Sequence, residues 1–423
     1  MNRQTFSLLR LLLMLPLLLV SLCSVVDAQQ SRSLLKNGGF EGGDGTTLPG
    51  WEPFESGYEV DRQTVHHGTQ SLRCDSLSAT LKRGGKVTLT LNQTHPLPVA
   101  VTGWSKAESV SGVKNNDYAI YIDLEYTDGT PLWGSVAPFG TGTHDWERRQ
   151  VLILPTKPIK TMTIIALFRN HVGTAWFDDF FAQELSGANL FDSQSLPPMP
   201  ARPSGGKATL HVTAKDGLSL GFTPLGDLTE VHSGGQDVSG ALAGGFYVRD
   251  VAEEGPLVPI RTLARSAPDG VRVEGTTSQR IRFSAKITPE GDSLLVDGEI
   301  TDATNTDRAV TVYLALPIQA EGWQWGQDIR HSETIQRERE YSHQVRVNVG
   351  ATGGLSLYPF GCISNSQQGI GIASQMDWPS VYRIFYQGTN RWLVMAWDFA
   401  LTSKTAAWPS HNARFRCHLF RIS

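Results

Sequence analysis

Tyr118-Ala119-Ile120-Tyr121-Ile122-Asp123-Leu124-Glu125-Tyr126 decides the reading of the fold. Ile120, Ile122 and Leu124 fall on one side of an extended chain, and Tyr121, Asp123 and Glu125 fall on the other. That period of two belongs to a strand with one buried face. The aliphatic side belongs to a core. An aromatic ring and two carboxylates look outward, an arrangement suited to the concave face of a jelly roll.

On either side the chain repeats the pattern in short runs separated by turn signals such as Gly42-Gly43-Asp44-Gly45, Asp128-Gly129 and Thr141-Gly142. Further strands are expected at Ala208–Ala214, Val271–Glu274, Gln279–Ile287, Ser293–Thr301, Ala309–Ala315, Gly369–Ser374, Val381–Tyr386, Trp392–Phe399 and Ala413–Ile422. The expected class is all-β. Between the two groups, Ser195–Gly206 holds four prolines and two glycines, which exclude regular structure and mark a semi-extended linker. The expected domains are therefore residues 34–185 and residues 207–423, the second the larger.

Residues 1–28 carry Arg3 and Arg10, then an apolar run from Leu11 to Val20, then Val26-Asp27-Ala28 at a cleavage position. That is the pattern of a signal peptide. Pro16 interrupts the run, which is shorter than the ~20 residues a membrane helix needs. The expected mature protein is exported, secreted or periplasmic, with no membrane anchor after cleavage. Cys23 leaves with the leader, so Cys74, Cys362 and Cys417 remain. Two readings stand for them: one bridge, Cys362 to Cys417, or three small buried hydrophobes, the sparse count favouring the second. A net charge of −4 without a basic stripe sets nucleic acid aside as a partner.

The ends of the first domain carry a further pattern. It opens Leu34-Leu35-Lys36-Asn37-Gly38-Gly39-Phe40-Glu41-Gly42-Gly43 and closes Thr174-Ala175-Trp176-Phe177-Asp178-Asp179-Phe180-Phe181. Between them stand Leu48-Pro49-Gly50-Trp51, His67-Gly68-Thr69-Gln70-Ser71-Leu72, Val101-Thr102-Gly103-Trp104-Ser105-Lys106-Ala107 and Thr141-Gly142-Thr143-His144-Asp145-Trp146. In this order the marks resemble carbohydrate-binding modules of families 4, 9 and 22, the CenC-like type. The resemblance implies a galactose-binding-like jelly roll that binds polysaccharide or oligosaccharide. It also implies a structural Ca²⁺ held by the acid of the opening strand and that of the last strand, here Glu41 and Asp178, with Asp179 as the alternative. The second domain, through Asp307–Pro317, Gly322-Trp323-Gln324-Trp325-Gly326 and Tyr358-Pro359-Phe360, resembles the β-sandwich that precedes a catalytic barrel in uncharacterised bacterial glycosidase-like proteins.

Sugar binding needs rings to cover apolar C–H faces and polar groups to orient hydroxyls. Trp104, Tyr121, Trp133 and Trp176 are the candidate rings, with Asp123, Glu125, Lys106 and Arg169 as polar partners. Trp104 and Tyr121 lead, and the alternative for each is ordinary core. Trp51 and Trp146 read as plugs at the sandwich ends. A glycosidase would need two carboxyls roughly 5–10 Å apart. Asp328, Glu333, Asp377 and Asp398 lie near Trp323, Trp325, Trp378 and Trp397, but no spacing implies that they converge. The expected function is non-catalytic carbohydrate binding. A glycoside hydrolase, or its amino-terminal part, and a structural sandwich without free sugar ligand stand as alternatives.

Overall fold

A computed structural model describes residues 33–43, 45–185, 190–196, 206–251, 255–261, 263–304, 306–347, 350–377, 380–402 and 412–422. The expected signal segment, residues 197–205 of the expected linker and Trp378 lie outside the described residues. Every strand pairing described is antiparallel, and no helix among these residues is long and apolar enough to cross a membrane. The fold is all-β.

The first sandwich is built from ten strands: β1 (Glu52–Pro53), β2 (Glu59–Asp61), β3 (Ser71–Ser76), β4 (Lys82–Thr90), β5 (Val99–Val110), β6 (Tyr118–Tyr126), β7 (Pro131–Pro138), β8 (Gly142–Ile153), β9 (Ile159–Arg169) and β10 (Gly173–Glu184). They form two sheets, ordered β1-β4-β9-β6-β7 and β2-β3-β10-β5-β8. The alternation of β6 holds, with Ile120, Ile122 and Leu124 buried while Tyr121, Asp123 and Glu125 stay half-exposed. One apolar core lies between the sheets, running from Phe40 and Trp51 through Tyr118 and Phe139 to Phe168 and Phe177.

The Asn37–Glu41 stretch, an opening strand in the modules it resembles, is a turn here. Its shape follows from side-chain bonding. The Asn37 amide accepts from Glu41 N (2.8 Å) and donates to the Glu41 and Pro49 carbonyls (2.9 and 3.0 Å). Phe40 then takes a positive φ of 55° and drops its ring against Trp51 (4.6 Å) and Phe180 (5.5 Å). Gly38 is required by contact, since a Cβ there would sit 1.7 Å from the Phe180 carbonyl oxygen. Trp51 is core and ties its indole N–H to the Asn37 carbonyl (2.7 Å).

The second sandwich faces a six-stranded sheet against a nine-stranded one, with a four-stranded sheet alongside. In order, the six-stranded sheet holds Val258–Pro259, Gly245–Asp250, Arg308–Pro317, Trp392–Leu401, Val381–Gln387 and Glu340–Ser342. The central strands of the nine-stranded sheet are Gly270–Thr276, Ile281–Glu290, Ser293–Asp302, Asn412–Ile422, Gly369–Ser374 and Phe360–Ser364. A second, larger core fills the space between them. Gly245–Asp250 is buried on both faces, so its sequence shows no alternation and it escapes a period-two reading.

Cys74 and Cys417 are buried, Cys362 is half-buried, and all three are free thiols. The bridge reading fails on direction. Cys417 points into the core while Cys362 lies on the other face of the same sheet, beside inward Ile363.

Residues 190–196 leave the first sandwich as a small hairpin, β11 (Leu190–Phe191) and β12 (Gln194–Ser195). Its two turn residues, Asp192 and Ser193, both have positive φ (55° and 54°), the left-handed geometry of a tight hairpin turn. The hairpin is docked on the second sandwich. Phe191 packs among Tyr313, Phe385 and Trp392 at 5.3–6.3 Å between ring centres.

Candidate functional site

The outer face of the β1-β4-β9-β6-β7 sheet gathers five of the eight candidate residues for sugar contact: Tyr121, Asp123, Glu125, Trp133 and Arg169. Register sets Lys86, Ile165 and Tyr121 on one rung and Thr88, Thr163 and Asp123 on the next. Glu125 follows on β6 and Arg169 ends β9. On the edge strand β7, a bulge opposite Asp123 accommodates Trp133 and Gly134, the latter at φ 73°.

The polar groups on this face are ordered by one another. The Arg169 guanidinium lies 5.7 Å from the centre of the Tyr121 ring, a cation–π contact, and donates from Nε to Asp117 Oδ1 at 2.7 Å. Burial alone would raise the Asp117 carboxyl, but the Asn170 and Arg169 donors hold it below the usual carboxylate range. The Tyr121 hydroxyl is pushed above its ordinary range by partial burial and by the charge and hydrogen bond of Asp123. Asp123 in turn accepts from Gly134 N at 2.9 Å. Glu125 is tied to Lys160 (2.8 Å) and Thr88 to Thr163 (2.9 Å).

Two rings therefore do different work. Tyr121 has one face covered by Arg169 and its hydroxyl engaged, so it is a fixed part of the floor. Trp133 is 67% exposed and is the open ring of this face.

Trp104 is not with them. β5 belongs to the opposite sheet, and there the Trp104 indole stacks under His66 at 4.2 Å and 21°, with Trp146 edge-on to the same imidazole at 5.4 Å. Lys106, two residues on, is paired with Asp145 at 2.9 Å. Trp176 is almost buried on this sheet, its indole N–H given to Asp61 at 2.8 Å while Phe177 takes the core position.

The three acids of the implied cation site each bond to the turn at residues 66–70. Glu41 accepts from Thr69 N (2.8 Å), Thr69 Oγ1 (2.5 Å) and Gln70 N (3.3 Å). Asp178 Oδ2 accepts from His66 N (2.8 Å) and His67 N (3.3 Å), and Asp179 Oδ2 meets His66 Nδ1 at 2.6 Å. Gly68 stands at φ 77°, where a Cβ would fall 2.0 Å from Glu41 Oε1. Asp178 is fully buried, and burial first, then the neighbouring Asp179 charge, pushes its carboxyl up to about 6 against three backbone donors. An all-oxygen donor set of this kind suits a hard cation, which takes about six to eight oxygens and here would need backbone carbonyls as well. Among the described residues no three His, Cys, Asp or Glu side chains form a ready cage.

Of the four acids weighed for catalysis, Asp377 is exposed and the other three are engaged locally. Asp328 pairs with His331 (2.8 Å) and Glu333 with Arg339 (2.5 Å), while Asp398 binds the buried Arg383 (2.5 Å). Trp325 and Trp397 are core. The residue that sequence reading missed is Asp192, fully buried and bound to Arg383 through 2.6 and 2.7 Å contacts.

No family profile matches the chain. Two curated relatives are the tRNA nuclease WapA of Bacillus subtilis (strain 168) and the tRNA(Glu)-specific nuclease WapA of Bacillus subtilis subsp. natto. Each is 36% identical over 132 residues, covering 29% of this chain and 6% of the relative. The chain thus spans about 6% of the length of the curated relatives it matches. Among solved structures it is similar to the CBM22-1 xylan-binding domain from Paenibacillus barcinonensis Xyn10C, at 17% identity and a TM-score of 0.28 over 36% of this chain and 95% of that one. TmCBM61 in complex with β-1,4-galactotriose gives 19% and 0.26 over 37% and 100%. The CBM22-1-CBM22-2 tandem of the same Paenibacillus protein gives 11% and 0.33 over 93% and 90%.

Proposed function

We propose that this chain is an exported, non-catalytic carbohydrate-binding protein whose first sandwich takes a polysaccharide across the outer face of the β1-β4-β9-β6-β7 sheet. One observation carries the reading: an open indole, Trp133, beside a row of mutually ordered polar groups, Tyr121, Asp123 and Arg169. The indole offers an apolar plane to a sugar ring, and the ordered groups supply donors and acceptors at fixed positions, so little side-chain entropy is lost on binding. Glu125 and Thr163 extend the polar row along the sheet.

A structural Ca²⁺ at Glu41, Asp178 and Asp179 belongs to the same proposal. What supports it is Asp178, a buried carboxylate whose charge is balanced by N–H dipoles alone. The nuclease activity named for the curated relatives is not proposed for this chain.

The test is affinity electrophoresis of the mature chain in gels containing neutral plant, fungal and bacterial polysaccharides, with reducing ends assayed in the same samples. Retention without release is expected. Trp133→Ala is expected to weaken retention roughly tenfold or more, as for an anchoring ring at the centre of a contact. Retention unchanged by Trp133→Ala would remove this face from the proposal, and release of reducing ends would replace it with the hydrolase reading.

A further inference from the structure

The nine-stranded sheet of the second sandwich has an outer face that the proposed sugar site does not use. Register lines up Arg272, Lys286, Asp297 and Arg416 on one rung, and Glu274, Ser284, Glu299 and Arg414 on the next. The rung between them is Val273, Ala285, Gly298 and Phe415, whose side chains, where present, point into the core, so all eight polar side chains share the solvent side. The two rungs enclose a trough of about 230 Å³ lined by Arg272, Ser284, Lys286, Asp297, Glu299 and Arg414.

The charges in the trough are largely spoken for. Asp297 is bridged by Arg416 (2.8 Å) and Arg414 (3.4 Å), and Lys286 is paired with Asp269 (2.7 Å). Among the described residues the Arg272 guanidinium hydrogen-bonds the Ser284 hydroxyl, at 3.5 Å, and lies near enough to Asp269 to help Lys286 lower that carboxyl, while Glu299 is exposed with no side-chain partner. With cations and carboxylates interleaved, the trough lacks the single-sign field that concentrates a polyanion. What it offers is one guanidinium able to donate and one carboxylate able to accept across a short polar floor. Two strands apart, roughly 9–10 Å between backbones, they can meet hydroxyls of successive units of a neutral sugar chain through charge-assisted hydrogen bonds.

We infer that this trough is a second, weaker contact for a neutral polysaccharide chain, with Arg272 and Glu299 as its specificity-determining residues. The inference rests on the reading of the chain as a sugar binder. No aromatic ring lines the trough, so recognition runs through hydroxyl groups alone, and the contact matters chiefly by adding to the first. Two weak contacts on one polymer raise retention far more than either alone when the polymer can reach both.

The experiment compares four full-length proteins in the same affinity gels: the parent chain, Trp133→Ala, the pair Arg272→Ala with Glu299→Gln, and all three changes together. The gels contain neutral glucan, xylan or mannan, or polygalacturonate as an acidic probe. The paired variant is expected to lose threefold to tenfold in retention on the neutral polymer that the parent binds, with an unchanged thermal melt. The residual retention of Trp133→Ala is expected to vanish in the triple variant. If the pair shifts the melt, Ser284→Tyr, which fills the trough from its floor, replaces it and must give the same loss. Retention by the pair equal to the parent's in both backgrounds overturns the inference and leaves the first face standing. Loss confined to the pair, with Trp133→Ala unaffected, upholds the trough and removes the first face. Retention of polygalacturonate alone overturns the neutral-chain assignment, and a parent that binds nothing removes both.

Discussion

Replacing Arg383 by methionine is expected to destabilise the second sandwich by about 3–5 kcal/mol, the cost of leaving buried charge without its partner. Arg383 is fully buried and bonds two acids at once: Asp192 at 2.6 and 2.7 Å and Asp398 at 2.5 and 2.9 Å. Thr311 and Ala351 also hold Asp398, and Tyr313 also holds Asp192. Methionine fills much of the arginine volume, so the loss reports charge rather than cavity. Against a total stability of roughly 5–15 kcal/mol, it is large. The variant's pH dependence should also steepen, in the same sense as that of the parent, where burial already pushes the neighbouring Glu340 carboxyl up to about 8. Without the guanidinium, the two buried carboxyls hold protons that the unfolded chain releases above about pH 4. The native state then binds more protons than the unfolded state, so stability falls as pH rises. The deficit is expected to be largest near pH 8 and to shrink towards pH 4. Guanidinium titrations followed by tryptophan emission report this directly, because Trp325, Trp392 and Trp397 are buried in the second sandwich. Amide exchange at residues 190–196 should rise in parallel as the hairpin loosens. A loss under about 1 kcal/mol, or one independent of pH, would refute the assignment of Arg383 as the centre of the docked hairpin.

The Asp178 carboxyl, pushed up to about 6, keeps a proton in the native state that the unfolded chain has lost. In chelator, the first sandwich is therefore expected to lose stability as pH rises from about 4 to about 6. Bound Ca²⁺ favours the carboxylate and should flatten that slope while raising the melting temperature; melts insensitive to both chelator and added Ca²⁺ would remove the cation from the proposal. The thiols of Cys74 and Cys417 are buried and shifted upward by burial, Cys74 to about 12, so both should resist a thiol reagent until the chain is unfolded, with Cys362 reacting first. Reductant should leave the melt unchanged.

Alternation made the strands legible, and it also set the limit of what sequence could say about the site. Period two tells which side of a strand looks outward, but two strands with outward rings share a surface only if they share a sheet. Trp104 on β5 and Tyr121 on β6 sit on strands that are neighbours in sequence yet belong to opposite sheets, because the connection crosses the sandwich. Trp104 accordingly stacks on His66 while Tyr121 joins Arg169. Asp192 was hidden for a related reason. Its partner Arg383 lies 191 residues away, and its turn uses two non-glycine residues with positive φ. Local turn chemistry gives no sign of either.

Which ring of the sugar face is open depends on a contact of the same kind. In sequence Tyr121 leads and Trp133 follows, and their strands are adjacent. The difference is made by β9, which ends at Arg169 and lays its guanidinium over Tyr121, while the edge bulge at Gly134 leaves Trp133 uncovered. The platform of the proposed site is thus set by where a third strand stops. Moving that end, as Arg169→Ala would, removes one donor but frees the Tyr121 face, so retention of a neutral polysaccharide should fall less than with Trp133→Ala. An equal fall from both substitutions would mean that the uncovered Tyr121 face gives the sugar nothing.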